Sequence, residues 1–162
     1  MITFYTKNRD GLAQVKNLEK NCWISVTNPT KEENHYLLEH LKIPVAFYND
    51  IEDKDERPRI ETENGWTLII LRVPFKSQDE KLPFNTAPLG IVFKEDTFVS
   101  LCFEQPEILT DFVQYTQRKK IGIADHYDFV LKMLLSSSVW FQKYLKQISQ
   151  RIKVAEDNLE KS

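Results

Sequence analysis

Two segments decide how this chain folds. The first is Trp23–Thr30, with the sequence WISVTNPT, and the second is Asp50–Val73, with the sequence DIEDKDERPRIETENGWTLIILRV. In the first segment, aromatic and β-branched residues lead into Asn28-Pro29, so the sequence predicts a strand that stops at a turn. In the second, Asn64-Gly65 separates two strand-like runs, and this dipeptide is the strongest short-range indication of a β-hairpin.

The second strand of this hairpin carries an uninterrupted apolar run, Leu68–Leu71. A strand with one solvated face alternates apolar and polar residues, and this run does not alternate. The continuous apolar residues therefore predict that both faces of the strand are covered.

The sequence on either side predicts further strands and helices. Thr30 and Glu33 match the T-x-x-E capping box, which begins a helix, and Gly122 is expected to end a later helix. The segment from Gly11 to Asn21 is weakly patterned and is assigned to neither type. The other predicted elements are strands at Ile2–Thr6, Cys22–Val26, Leu89–Phe93 and Thr97–Phe103, and helices at Pro44–Ile51 and Pro106–Lys120. Strands bracketed by helices predict an α/β fold, a three-layer α/β/α domain with a mixed β-sheet.

The last part of the chain has a different pattern. From Asp125 onward it contains neither Gly nor Pro, which predicts one helix of about 37 residues, roughly 55 Å long. Within this helix, apolar residues recur at heptad spacing: Phe141, Leu145, Ile148, Ile152, Ala155 and Leu159. The α/β domain, residues 1–121, should be only about 40 Å across, so residues 122–162 are expected to start a stalk helix that packs elsewhere. This helix has no C-cap, and we expect the natural chain to continue past Ser162.

Composition disfavours several classes of function. A net charge of −2, with basic and acidic residues interleaved, gives no electrostatic footprint for nucleic acid. The four glycines form no phosphate-binding pattern, which disfavours a nucleotide site. Cys22 and Cys102 form no Cys-x-x-Cys pair, so a reducing compartment is expected. The chain has no signal peptide and no apolar run near the ~18 residues of a spanning helix, so as printed it is expected to be soluble.

The acidic segment at residues 50–56 resembles a metal site only superficially. An EF-hand does not fit, because no Gly stands at the sixth loop position and a basic residue falls where a ligand is needed. Residues 52–57 are therefore predicted to be a solvated loop. An anion site at Arg57-Pro58-Arg59 is one interpretation of the basic residues. The favoured one is that both arginines pair with carboxylates of Glu52, Glu56 or Glu61.

The remaining reactive residues predict no catalytic or zinc site. His35 and His40 are five positions apart, about 140° around an α-helix, and are not expected to share a metal. His126 has no partner nearby in the sequence. Cys102 lies in an apolar strand and is expected to act as a small hydrophobic residue. Ser136–Ser138 are consecutive on a helix and point in different directions, so we do not expect an enzyme.

The order and spacing of four segments resemble the amino-terminal cytoplasmic domain of CorA-type magnesium transporters. These segments are Trp23–Pro29, Pro44–Asp50, Arg57–Glu61 and Leu68–Arg72. The resemblance covers roughly residues 20–162 and includes the long terminal helix. It implies a homopentamer whose α/β domains form a funnel at the cytoplasmic face of the cell membrane. It also implies two membrane helices, with a Gly-Met-Asn signature between them, in sequence beyond Ser162.

The resemblance further implies a regulatory metal ligand. In the family, a carboxylate at the end of the Pro-initiated helix helps to bind a regulatory Mg²⁺ between subunits, and Asp50 occupies that place. The preceding residue is often acidic and here is Asn49, and a further family carboxylate falls near the apolar Leu134. Mg²⁺ keeps several waters and needs only one or two carboxylates, so two subunits donating one each can suffice. One chain alone is expected to bind Mg²⁺ weakly.

The implied function is that of a cytoplasmic regulatory domain which senses Mg²⁺ for a transporter or channel of Mg²⁺ or Co²⁺. Its partners are then divalent cations and other copies of itself, with no nucleic acid. Two alternatives stay open at this point. One is a zinc-transporting relative with the same architecture, and the other is a stand-alone soluble interaction module whose terminal helix forms a coiled coil.

Overall fold

A single seven-stranded mixed sheet forms the centre of the computed structural model, which describes residues 1–79, 81 and 83–161. Its strands are β1 (Ile2–Asn8), β2 (Gly11–Val15), β3 (Trp23–Thr27), β4 (Arg59–Glu63), β5 (Trp66–Lys76), β6 (Phe84–Lys94) and β7 (Thr97–Cys102). They lie in the order β2-β1-β3-β7-β6-β5-β4. Strands β3 and β7 pair in parallel, and the other neighbouring pairs are antiparallel. The predicted Asn64-Gly65 hairpin is present as β4 and β5.

Four α-helices and one π-helical turn cover this sheet. They are α1 (Lys31–His35), the π-turn (Tyr36–His40), α2 (Val45–Glu52), α3 (Glu107–Lys119) and α4 (His126–Lys161). The capping box at the start of α1 is confirmed, because Glu33 N donates to Thr30 Oγ1 over 3.2 Å and Thr30 N donates to Glu33 Oε1 over 3.0 Å. The end of α3 differs from the prediction. Lys120, with a φ of 52°, takes the left-handed position that was expected of Gly122.

Strand β2 lies in the segment that the sequence left unassigned. Leu12 N donates to Thr116 Oγ1 of α3 over 3.1 Å, and Gln117 Nε2 of α3 donates to Leu12 O over 2.7 Å. The backbones approach so closely that a Cβ on Gly11 would stand 2.8 Å from Thr116 O. The strand is therefore held by its local antiparallel pairing with β1 and by contacts with α3 more than 100 residues away, and its own short pattern gives little indication of it.

The sheet is covered on both faces, as the run Leu68–Leu71 predicts. Leu68 and Ile70 belong to a core beneath α2, and Ile69 and Leu71 belong to a second core beneath α3 and α4. All four side chains are buried. The three-layer α/β/α architecture is therefore confirmed, with α2 on one face and α3 and α4 on the other.

Trp23 sits at the centre of the α3 and α4 side. Its indole Nε1 donates to Ser100 Oγ over 2.8 Å, so β3 and β7 are joined by a buried side-chain hydrogen bond as well as by their backbones. The ring centroid of Trp23 lies 4.8 Å from that of Tyr5 and 4.9 Å from that of Phe129. The indole thereby satisfies its polar atom while it anchors α4 to the sheet.

Helix α4 has 36 residues and is about 54 Å long. Its buried residues all lie between Phe129 and Tyr144: Phe129, Val130, Met133, Ser137, Trp140 and Tyr144. Beyond Tyr144 the described part of the helix has no buried side chain, and Leu145 and Ile152 of the predicted heptad are 59% and 55% exposed. Within the described residues, no helix combines the length and apolarity needed to cross a membrane. The division at residue 121 stays a prediction.

Gly90 sets how closely α2 can approach the sheet. A Cβ on Gly90 would stand 2.2 Å from Ile51 Cδ1 and 2.4 Å from Ile51 Cγ1. We expect Gly90→Ala to lower the free energy of unfolding by about 1–3 kcal/mol, because one extra methyl group overfills this contact. Denaturant unfolding measures the change.

The matched variant is Ile51→Ala, which empties the same space and should cost about 2–5 kcal/mol alone. In the double variant the added methyl group has room, so the combined loss should be smaller than the sum of the single losses. Additive losses would contradict the close seating of α2 on Gly90.

Asp128 fixes the start of α4. Its Oδ2 accepts a hydrogen bond from Ala124 N over 2.9 Å and another from Lys132 Nζ, and Asp128 N donates to Asp125 Oδ1 over 2.8 Å. The backbone hydrogen bond from Ala124, followed by that from Lys132, lowers the pKa of Asp128. Its contribution to stability is therefore present above the unfolded-state pKa of about 3.9 and is lost as the pH falls through the lower folded value.

We expect Asp128→Asn to lower the free energy of unfolding at pH 7 by up to about 1 kcal/mol, since the ion pair is partly exposed to solvent. The difference between variant and parent should shrink below about pH 4. Denaturant unfolding at several pH values tests this, with Asp157→Asn on the exposed part of α4 as control. An equal difference at pH 3 and pH 7 would argue against the lowered pKa.

Candidate metal-binding site

Asp50 lies near the end of α2, which begins after Pro44. Phe47, Tyr48 and Ile51 are the buried residues of this helix, so its packing against the sheet leaves Asp50 at the rim. The side chain of Asp50 is 34% exposed. A carboxylate in this position is fixed by the helix and still reaches solvent.

Arg59, the first residue of β4, contacts Asp50 directly. Its Nη2 lies 2.6 Å from Asp50 Oδ2, its Nη1 contacts Glu56 Oε1, and its Nη2 lies 3.2 Å from Glu61 Oε2. The predicted pairing with Glu56 and Glu61 is therefore confirmed for Arg59. The pairing with Asp50 was not predicted. Within the described residues, neither Arg57 nor Glu52 forms a salt bridge.

The three carboxylates also affect the protonation of Arg59. Desolvation lowers the pKa of the guanidinium, but the hydrogen bond to Glu61 and the charges of Glu56, Asp50 and Glu61 outweigh it. The pKa of Arg59 is therefore raised. Arg59 is therefore a cation at neutral pH, and in this structure it places a positive group beside Asp50.

Arg72 of β5 holds the loop that connects α2 to β4. Its Nη1 donates to the carbonyl oxygens of Lys54 and Glu56, each over 2.9 Å, while Nε and Nη2 donate to Thr86 of β6 over 3.0 and 2.9 Å. The acidic side chains Asp53 and Asp55 of this loop are exposed as predicted; Glu52 is exposed too, but it is the last residue of α2 and does not belong to the loop as was predicted. Its backbone, in contrast, is fixed to the sheet, which holds Glu56 beside Arg59.

The donor set at Asp50 suits one kind of metal better than others. A carboxylate that reaches solvent supplies a hard oxygen ligand, and Mg²⁺ binds through one or two such ligands while keeping waters. Across residues 1–79, 81 and 83–161, no three His, Cys, Asp or Glu side chains are grouped so as to hold a metal ion. Asp50 thus offers a single solvent-accessible oxygen ligand, with no complete cage around it in the part of the chain that the structure describes. At position 134 the helix presents an exposed leucine.

The histidines are arranged differently from the prediction. His35 and His40 have ring centroids 6.4 Å apart, because the chain forms a π-turn there and residues five apart come nearly into line. The expected separation of about 140° around the helix is therefore wrong, although no third ligand joins the pair in the described residues. His126 is stacked on Phe98 and contacts Phe93, with Nε2 2.9 Å from Glu95 O.

The possible nucleophiles are poorly placed for chemistry. Cys102 is fully buried, and desolvation raises the pKa of its thiol to about 12. The thiol therefore stays protonated, in keeping with the predicted role as a small hydrophobic residue. Ser137 is buried, Ser136 is partly buried and Ser138 is exposed, so the three hydroxyls face different directions as predicted.

Solved structures with the same fold include that of a magnesium transporter. The chain superposes on the complete structure of the CorA magnesium transporter from Methanocaldococcus jannaschii with a TM-score of 0.76 and 20% identity, covering 98% of this chain and 51% of that one. For the soluble domain of the same transporter the TM-score is 0.73 at 19% identity, covering 98% and 64%. For the ZntB cytoplasmic domain from Vibrio parahaemolyticus the TM-score is 0.72 at 15% identity, covering 93% and 62%. These likenesses show the fold, and the chain spans about half the length of the complete CorA structure.

The sequence gives the same family independently of the fold. No curated protein matches the chain. The family model for CorA-like Mg²⁺ transporter proteins matches residues 19–162, which is most of the chain, so the chain belongs to the CorA-like Mg²⁺ transporter family.

Proposed function

We propose that this chain is the cytoplasmic regulatory domain of a divalent-cation transporter or channel, and that it senses Mg²⁺ where copies of the chain meet in a homopentamer. The observation that carries the proposal is the position of Asp50, a solvent-accessible carboxylate on a helix that is firmly seated on the sheet. Membership of the CorA-like family supports the transporter role. The location at the cytoplasmic face of the membrane belongs to the same proposal.

The proposed mechanism is a shared metal site. Asp50 donates one oxygen, a neighbouring copy donates another, and waters complete the coordination that Mg²⁺ prefers. Because both ligands are close only when the copies are packed together, the ion favours the packed state by its differential affinity. A fall in Mg²⁺ would then loosen the assembly, which links the ion concentration to transport.

A zinc-transporting relative is the second candidate. The observation in its favour is the likeness of this fold to the ZntB cytoplasmic domain, at a TM-score close to those of the CorA structures. The exposed oxygen ligand of Asp50 favours Mg²⁺ over Zn²⁺, which prefers nitrogen and sulfur ligands. Uptake of Mg²⁺ and Zn²⁺ by cells that express the protein, with any sequence that follows Ser162, distinguishes the two.

The first test concerns Asp50. In the assembled protein, we expect Mg²⁺ at ten times its dissociation constant to add about 1.4 kcal/mol to the stability of the packed state. Asp50→Ala should remove most of this increment, because one of the two protein ligands is lost. Thermal unfolding with and without Mg²⁺ measures it, and Glu52→Ala, an exposed acidic neighbour on the same helix, is the matched control.

The chain 1–162 alone lacks the second ligand, so its unfolding temperature should change little with Mg²⁺. If Asp50→Ala and Glu52→Ala leave the same Mg²⁺ response in the assembled protein, Asp50 is an ordinary surface carboxylate and the proposed site is wrong.

The second test concerns assembly. The exposed apolar side chains on the outer half of α4, such as Leu145 and Ile152, suit packing against further helices of the assembly. We expect chain 1–162 to be a monomer or a weak oligomer in sedimentation at micromolar concentration. In the assembled protein, Leu145→Glu should weaken association, whereas Lys146→Glu on a neighbouring exposed position should have a smaller effect.

A tight pentamer of chain 1–162 would show that the α/β domains alone carry the assembly. Equal effects of the two substitutions would show that charge on this helix matters, and that the apolar side chain of Leu145 does not.

A further inference from the structure

Asp50 is already bound to a cation of its own chain. The guanidinium of Arg59 lies 2.6 Å from Asp50 Oδ2, and both side chains are about one third exposed. A charge-assisted hydrogen bond of this length occupies Oδ2 and offsets the negative charge that would attract a metal ion. The carboxylate of the proposed metal site therefore has an internal competitor.

We propose that Arg59 sets the concentration at which a divalent cation binds at Asp50, by holding the carboxylate in the cation-free state. This inference rests on the proposed function of Asp50 and adds a regulating residue to that site. Arg59 acts as a positioning residue and is not itself a ligand.

The guanidinium of Arg59 and a divalent metal ion compete for Asp50 for an electrostatic reason. A divalent ion at bonding distance from Asp50 would stand within a few ångströms of the guanidinium, where like charges repel strongly. The ion therefore binds best in molecules in which Arg59 has moved away. Its apparent affinity is then the intrinsic affinity multiplied by the fraction of molecules in which Asp50 is free.

The structure gives Arg59 a place to which it can withdraw. Two other carboxylates contact the same guanidinium, Glu56 through Nη1 and Glu61 through Nε and Nη2 at 3.3 and 3.2 Å. When Asp50 turns to a metal ion, these two partners can still neutralise the arginine. The exchange therefore leaves no charge unpaired, and its free-energy difference stays small enough for the ion concentration to control it.

Arg57 supplies a matched control. It belongs to the same Arg57-Pro58-Arg59 segment, its side chain is exposed, and within the described residues it makes no salt bridge. Arg57→Gln and Arg59→Gln change the net charge of the protein equally. A general increase in negative charge would affect the two variants alike, whereas release of Asp50 would affect only Arg59→Gln.

The experiment titrates Mg²⁺ into the assembled protein and records the concentration that gives half of the maximal rise in unfolding temperature. We expect Arg59→Gln to lower this concentration by up to about fivefold, the most that a partly exposed ion pair usually supplies. Arg57→Gln should stay near the parent value, and Arg59→Lys should fall between. Arg59→Gln combined with Asp50→Asn should lose the gain.

A second measurement does not depend on unfolding. Mn²⁺ resembles Mg²⁺ in its preference for oxygen ligands, and the paramagnetic resonance signal of free Mn²⁺ disappears when the ion binds. Titration of each folded variant with Mn²⁺ at 20 °C should place the variants in the same order of affinity as the Mg²⁺ titration does. A gain from Arg59→Gln here would support the proposal even if the variant unfolds at a lower temperature.

The outcomes separate this inference from the proposed function. If the parent responds to Mg²⁺ and Asp50→Ala abolishes the response, but Arg59→Gln binds no more tightly than the parent, only the role of Arg59 is wrong. Equal gains from Arg57→Gln and Arg59→Gln, or a gain that survives Asp50→Asn, would also overturn it. If the parent shows no Mg²⁺ response, both the proposed function and this inference fail.

Discussion

The architecture depends on one constraint, which is that the middle of the sheet must be covered on both faces. Leu68 and Ile70 need apolar partners on one side of β5, and Ile69 and Leu71 need them on the other. A single helix layer cannot satisfy both. Helix α2 therefore lies on one face, and α3 with the first half of α4 lies on the opposite face. Burial of these four side chains fixes which helices face each other across the sheet.

The same constraint separates the two features on which the proposed function rests. Asp50 is carried by α2 on one face, and α4 is anchored by Trp23 and its neighbours on the other. Between them lies a sheet with dense side-chain packing, which does not deform easily. Gly90 adds to this rigidity, because its missing side chain lets α2 sit close enough for Ile51 to contact the backbone of β6.

Much of the fold could be predicted because its determinants are local. The Asn64-Gly65 turn, the Thr30–Glu33 capping box and the uninterrupted run of β5 each act within a few residues, and each is present. Strand β2 was missed although it pairs with the adjacent β1, because its own residues are weakly patterned and Leu12 packs on α3, more than 100 residues away. The π-turn at Tyr36–His40 was missed for a different reason. Helical periodicity assumes α-helical spacing, and an inserted residue changes which side chains align.

The site could be predicted less completely than the fold. Asp50 was identified from the resemblance to a family, and its accessible position at the end of α2 agrees with that assignment without testing it. The sequence did indicate that Arg59 would pair with nearby carboxylates. It could not indicate Asp50 as a partner, because that contact depends on how α2 and β4 are brought together. Arg72 brings them together by donating hydrogen bonds to two backbone carbonyl groups of the intervening loop. Every residue has a carbonyl group, so the sequence does not indicate which ones accept these bonds.

The length of α4 has a mechanical consequence. Tyr144 is the last buried side chain of the helix, although the guanidinium of Arg151 still lies 5.5 Å from the centroid of the Phe84 ring, and the stretch from Tyr144 to Lys161 is roughly 25 Å long. An arm of that length, tilted by about 10° around its fulcrum at Tyr144, moves its tip by roughly 4 Å. A bend of that size at Tyr144 corresponds to a displacement of only about 1 Å at Trp140, which lies about 6 Å away along the helix. Helix α4 therefore has two arms of similar length, one packed into the domain and one largely exposed.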